Sequence, residues 1–360
     1  NATNNGGISQ KVNVSSGVTL TNNAALGSDS GVVTNSGTIN TSASNIKGAV
    51  TNNNTVNLSG GTLSKAISGS GTTNITGIVS SNSAISQAIS IASAGDLTIS
   101  ASNVGGNVTN AGDLILNGGT LTKAVTGAGT TSITGAVTAN SAISQTISIS
   151  SSGDLTANAG NIGGAVTNAG DLILTGGTLS KSVSGAGLTT ITGNTTNSAG
   201  INQGVKVNSG ITLTNNAALG SASGSVTNAG TINSSADNIK GTVSNTGSLN
   251  LSGGTLSKAV SGSGKTTITG NTTNSGGINQ GVTVNSGVTL TNNAALGSDS
   301  GTITNSGTIN TSASNIKGAV TNNNTLNLSG GTLSKAVSGS GTTNITGAVT
   351  SNSAISQAIN

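Results

Sequence analysis

The stretch L-S-G-G-T-L-S-K at 58–65 returns as L-N-G-G-T-L-T-K at 116–123 and as L-T-G-G-T-L-S-K at 174–181. It appears twice more, unchanged, at 251–258 and 328–335. The spacings are 58, 58, 77 and 77 residues, so the two kinds of interval differ by 19. Nineteen residues suit one coil of a β-solenoid. The short modules then hold three coils and the long ones four. Self-similarity at such a period means stacked structural units and not a globule.

Composition narrows the choice. Phe, Tyr, Trp, Met, Cys, Pro, His, Glu and Arg are all absent from the 360 residues. An ordinary globular core of that size draws much of its buried area from aromatic rings. Here the apolar stock is Val, Ile, Leu and Ala, set among Ser, Thr, Asn and Gly. Charged residues make up 5% and mean hydropathy is slightly positive, +0.06, which argues against disorder. No run approaches the roughly 18 apolar residues of a membrane span. The absence of cysteine excludes a disulfide scaffold.

One short polar-apolar-polar strand anchors each coil. The anchors run Leu20, Ile39, Leu58 and Ile75, then Ile99, Leu116 and Ile133, then Ala157, Leu174 and Ile191. They continue as Leu213, Ile232, Leu251 and Ile268, then Leu290, Ile309, Leu328 and Ile345. Eighteen anchors over 325 residues give about 19 residues per step, with single steps of 17, 19, 22 or 24. Alternation of period two with Gly, Asn and Ser punctuation reads as strands joined by turns. The expected fold is all-β: one right-handed parallel β-helix of 18–19 coils, its anchors in a single buried column. Its modules are 1–77, 78–135, 136–193, 194–270 and 271–347, with a partial one at 348–360.

The phrase V-T-N-x-G-x-I, around Val33, Val108, Val166, Val226 and Ile303, shows how a coil turns. Looser copies stand at Val50, Val243 and Val320. Apolar residues point inward, Thr outward, and Asn-x-Gly supplies a corner through left-handed backbone angles. Stacked Asn side chains can bond from coil to coil. All six glutamines, Gln10, Gln87, Gln145, Gln203, Gln280 and Gln357, lie in Ile-[Ser/Asn]-Gln within the longest steps. Those steps predict protruding loops near 79–83, 137–141, 194–199 and 271–276, with Gln capping an exposed strand at a corner.

Residues 1–90 match 271–360 almost word for word, and the sequence starts and stops inside a module. It reads as a window on a longer array whose ends need covering by more repeats or by a stacked copy.

The phrases V-T-N-x-G-T-I-N, L-S-G-G-T-L-S and G-S-G-T-T-N-I-T-G resemble the β-solenoid passengers of bacterial autotransporter adhesins and filamentous-haemagglutinin-like exoproteins. The resemblance spans essentially the whole chain, in repeat style and not through a unique motif. It implies the right-handed helix, secretion across an outer membrane and display at the cell surface. The chain departs from the commoner pattern in lacking aromatic residues and in the fidelity of its modules. No catalytic or ligand residue carries over.

Little chemistry is on offer. Acid-base and nucleophilic catalysis want a base, and only seven Asp are available. Asp96 and Asp113, like Asp154 and Asp171, are 17 apart and should stack on adjacent coils. A calcium site needs six or more oxygens, whereas the equivalent positions elsewhere are Thr38, Thr231, Ser248 and Thr308. The lysines Lys65, Lys123, Lys181, Lys258 and Lys335 recur once per module. At that spacing they make a weak footprint for nucleic acid, with no aromatic to stack a base. They suit the discouragement of lateral sheet pairing. Sugar recognition usually wants an aromatic platform too.

The expectation is a non-enzyme with no catalytic, cofactor or metal residues. It would be the rigid shaft of an extracellular fibre or cell-surface adhesin, partnered by copies of itself or adjoining repeats. An adhesive surface binding cells or matrix is the alternative. Ice binding comes third, because Thr19-Leu20-Thr21 and Thr212-Leu213-Thr214 give way to Asn at neighbouring coils.

Overall fold

A computed structural model describes residues 1–360. The backbone winds as an all-β parallel solenoid of about 21 turns, each about 17 residues long. Short β-branched segments form the strands, as in Thr19–Asn22, Thr38–Thr41, Thr55–Leu58 and Thr72–Ile75. Each buries its second and fourth residues, the alternation a one-sided pleat demands. No helix is long and apolar enough to cross a membrane. The helical content consists of short 3-10 turns, such as Ala43–Asn45, that the sequence reading passed over.

The residues form two compact units, Asn1–Ile173 and Leu174–Asn360. In the first, one ladder joins Ala2–Asn4, Thr19–Asn22, Thr38–Thr41, Thr55–Leu58, Thr72–Ile75, Ala88–Ile91, Val108–Asn110 and Val125–Thr126. A second joins Val12–Val14, Val33–Asn35, Val50–Asn52 and Ile67–Ser68, and bridges extend it through Ile85 to Val104. The third runs through Gly61–Leu63, Ile78–Ser81, Asp96–Ile99, Asp113–Leu116, Thr130–Ile133 and Thr146–Ile149. The second unit repeats the plan. Thr212–Asn215, Thr231–Ser234 and Ser248–Leu251 share one ladder, while Thr289–Asn292, Thr308–Thr311 and Thr325–Leu328 share another.

The register corrects the expected single column of anchors. Ile39 faces Val56, and Leu58 faces Thr41. Leu58 stacks on Ile75, Ile75 on Ile91 and Ile91 on Asn110, which completes three turns six residues short of Leu116. Leu116 belongs to a different ladder, between Ile99 and Ile133. In the second unit Leu251 climbs through Ile268, Val284 and Asn305 to Asn322, four turns, again six residues short of Leu328. A module is therefore three or four turns plus one side. Within each unit, consecutive copies of the motif land on different sides. All the anchors but Ile345, which is half-buried, are buried all the same: Ile39, Leu58, Ile75, Ile99 and Leu116 are at most 1% exposed.

The surplus side explains why turns are shorter and more numerous than expected. It also removes the predicted loops. A step of 24 residues, Ile75 to Ile99, is one turn to Ile91 and then one side more. Segments 79–83, 137–141, 194–199 and 271–276 fall on the strands Ile78–Ser81, Ala136–Ala139, Thr195–Asn197 and Thr272–Asn274. Tight turns stand elsewhere, closed by Ser28 with Gly31 and by Ser298 with Gly301, the antiparallel bridges of the fold.

Corners need glycine for space more than for backbone angle. Gly37 of the Asn-x-Gly corner is absent from the positive-φ residues, and no non-glycine residue has positive φ. A Cβ on Gly37 would stand 2.2 Å from the Val18 carbonyl oxygen of the turn below. The left-handed requirement falls instead on the Gly-Gly of the recurring motif, with Gly60 at φ +143 and Gly61 at φ +88.

Candidate functional site

The glutamines do not cap exposed strands. Gln87, Gln145, Gln203 and Gln280 are buried in the core. Their Nε2 atoms donate to Oγ1 of Thr73, Thr131, Thr189 and Thr266 at 2.7, 2.6, 2.8 and 2.7 Å. Gln357 donates likewise to Thr343, and Gln10 is exposed. Each partner lies 14 residues earlier, on the preceding turn. The sequence reading missed these threonines because a Thr among polar neighbours carries no sign that it points inward. The pair holds register, since either group left alone in the apolar column would be unsatisfied. In Gln145 the Oε1 atom has no partner. We predict that Thr131→Val costs about 1–3 kcal/mol by stranding that amide, whereas Thr131→Val with Gln145→Leu recovers most of the loss. Urea unfolding of both variants checks this. A double variant less stable than the single one would refute it.

The asparagine ladders are as expected. Asn35 Nδ2 donates to Asn52 Oδ1, Asn228 Nδ2 to Asn245 Oδ1 and Asn305 Nδ2 to Asn322 Oδ1, each at 2.7 Å and fully buried. Each also satisfies backbone at its corner: Asn35 Nδ2 donates to Thr55 O at 2.8 Å, and Gly37 N donates to Asn35 Oδ1 at 3.1 Å.

An outer row of asparagines lines a concavity. Asn57 Nδ2 donates to Asn40 Oδ1 and Asn74 Nδ2 to Asn57 Oδ1, both at 2.7 Å. With Thr21, Ser42, Ser59 and Thr76 they line a shallow polar groove of about 660 Å³. The same groove recurs at Thr291, Asn310, Asn327 and Ser329 with about 570 Å³, and at Thr214, Asn233 and Ser252 with about 340 Å³. These are the three long modules. In a short module Ile115 occupies the rung where a long one has Asn57, an apolar side chain in place of the amide. Thr19, Thr38, Thr55 and Thr72 do align in one row. The row beside them is Thr21, Asn40, Asn57 and Asn74, so a Thr-x-Thr rung occurs once in this stack and not as a lattice.

The aspartates stack as the spacing implied: Asp96 pairs with Asp113 across adjacent turns. Asp171 N donates to Gly153 O, placing Asp171 one turn above Asp154. Three acids the sequence reading left aside are engaged. Lys65 binds Asp29 two turns away, and Lys335 binds Asp299 in the same way. The hydrogen bond from lysine, reinforced by its charge, holds each carboxyl below the usual carboxylate range. Both acids sit in solvent, so these pairs contribute little to stability. Asp237 accepts from Thr255 N at 2.9 Å. Lys123 and Lys181 have no carboxylate partner.

Comparison with protein-family models, with characterised proteins and with solved structures finds no match for the chain.

Proposed function

We propose that these repeats are a non-catalytic structural segment, the rigid shaft of an extracellular fibre or of a cell-surface adhesin on a bacterium. The observation that carries the reading is the module itself. Each copy renews the same ladders and asparagine corners, each after the first adds a Gln-Thr pair, and each passes the chain on one side further round. Adding modules lengthens such a body without creating a unique site. The aspartates support the non-enzymatic part. Asp29 and Asp299 are tied to lysine, Asp237 to a backbone N–H, and the other four stand as outward pairs. The chain has no His, Cys or Glu, and Asp29 and Asp299, the two aspartates paired with lysine, stand in solvent, where no enclosed site would hold a substrate against them. The repeat style that resembles autotransporter passengers supports surface display, and the partners proposed are copies of the chain or adjoining repeats stacked coil on coil.

Electron microscopy of chains with one short module added or removed tests the shaft. Length should change by about 16 Å, the rise of three to four strand spacings. An unchanged length, or hydrolysis of a polysaccharide by the purified chain, would overturn the proposal.

The polar groove of the long modules favours a second reading, direct adhesion to cells or matrix. Asn57→Ile and Asn327→Ile, which copy the short-module residue, should then abolish attachment. They should leave it unchanged in a passive shaft. Ice binding fits least, since the threonine row is flanked by asparagine.

A further inference from the structure

The strand Val260–Ile268 is irregular. Between Ser261 and Lys265 it advances four residues while its neighbour advances two, from Asn279 to Gly281. Bulges of this kind re-aim side chains and open the ladder locally. Beside this one lies a depression of about 240 Å³, lined among others by Lys265, Gly281, Thr283, Ser300 and Thr302. Lys265 is exposed and its ammonium has no carboxylate partner, the ion pairs of the chain being those of Lys65 and Lys335. Thr283 Oγ1 is buried and has no hydrogen-bond partner, one of two such side-chain atoms. Native structures seldom leave a buried hydroxyl so. No acidic side chain lines the depression, and nearby Asp299 is bound to Lys335.

An unneutralised cation beside an unused hydroxyl donor, over backbone opened by a bulge, is the chemistry that receives negatively charged oxygen. We infer that this depression binds an oxyanion, a phosphate or carboxylate group, with the Lys265 ammonium and the Thr283 hydroxyl as its donors. The second unit contains its own comparison. The strand Val183–Ile191 has the same irregularity between Ser184 and Leu188. There Leu188 takes the place of Lys265, and Lys206 that of Thr283. That bulge has its lysine on the neighbouring strand and no hydroxyl at either position, so the combination of an ammonium on the bulged strand with a hydroxyl on its neighbour belongs to one bulge of the two.

The test is a titration of the whole chain at low salt with inorganic phosphate and, separately, with acetate. Amide resonances of residues 261–304 report binding. Saturable one-site shifts around Gly281 and Thr302 are expected, weakened about tenfold by Lys265→Leu and similarly by Thr283→Val. Thr283→Ser should bind as the parent does. Lys265→Leu installs the residue the fold already carries at Leu188, and an unchanged unfolding curve verifies that the variant is intact. Shifts with phosphate alone assign a phosphate ligand, and shifts with both anions assign a site open to carboxylates. The inference fails if neither anion produces saturable shifts. It also fails if Lys265→Leu and Thr283→Val titrate like the parent, which would leave only diffuse attraction to the net charge of +4.

Discussion

Deleting residues 79–83 should unfold the turns on both sides of the cut, while removing seventeen residues elsewhere should not. The strand Ile78–Ser81 pairs with Gly61–Leu63 below and Asp96–Ile99 above. Its removal takes away buried Val79 and Ser81 and leaves Leu63 and Ile99 without the turn between them. Five is also an odd number. The chain beyond the cut is displaced by less than a side, and its inward residues turn outward. Exposing even two core side chains costs about 3–6 kcal/mol, comparable to the whole stability of many domains. Removing 40–56 takes out far more chain, yet it joins Ile39 to Asn57, and Asn57 occupies the rung of Asn40 directly above it. That variant should melt within a few degrees of the parent. Thermal unfolding by circular dichroism, with hydrogen exchange at Leu63 and Ile99, separates the two deletions. If the five-residue deletion melts like the parent, the segment is a loop after all and the register is wrong.

The contrast shows what could be read from the residues alone. Strand identity was legible because it is local. Period-two alternation of Val, Ile and Leu with Thr and Asn specifies which residues go in, and every anchor but Ile345 is buried as it demands. The asparagine corners and the stacking of Asp96 on Asp113 follow from spacing in the same way. The side on which each module falls was not legible. Intervals of 58 and 77 divide well by 19 and equally well into turns of about 17 with a side to spare. Only pairing distinguishes them, as Leu58 facing Thr41 and not Ile39 makes plain. The misplaced loops came from that error, since a turn plus a side looks like an overlong coil. The inward glutamines stayed hidden for another reason. Polarity says a residue prefers water, and the Thr73 that satisfies Gln87 is announced by nothing near either residue. The lysine pairs were missed because Lys65 and Asp29 stand 36 residues apart.

Two asparagines five residues apart should differ sharply when replaced. Asn52 is fully buried at a corner of the ladder. Its Oδ1 accepts from Asn35 Nδ2 at 2.7 Å and from Asn54 N at 3.3 Å. Its Nδ2 donates to the carbonyl oxygens of Asn54 and Thr72, both at 3.2 Å. Asn52→Leu offers similar bulk and better apolar burial, but it strands donors and acceptors on three neighbouring turns. At about 1–3 kcal/mol for each unsatisfied group, and with some relief from water at the rim, the loss should be on the order of 4 kcal/mol. Asn57 belongs to the outer row and is half-buried. Its amide links Asn40 and Asn74 at the surface, where water can replace it. Asn57→Ile puts there the residue a short module already has at Ile115, so its effect should stay within about 1 kcal/mol. Guanidinium unfolding of the two variants gives the comparison, and exchange at Gly37 and Thr72 localises the damage. Equal losses would mean that the corner amides fill space without bearing the backbone. A large loss at Asn52 alone would identify the buried amide ladder as the feature that keeps successive turns in step.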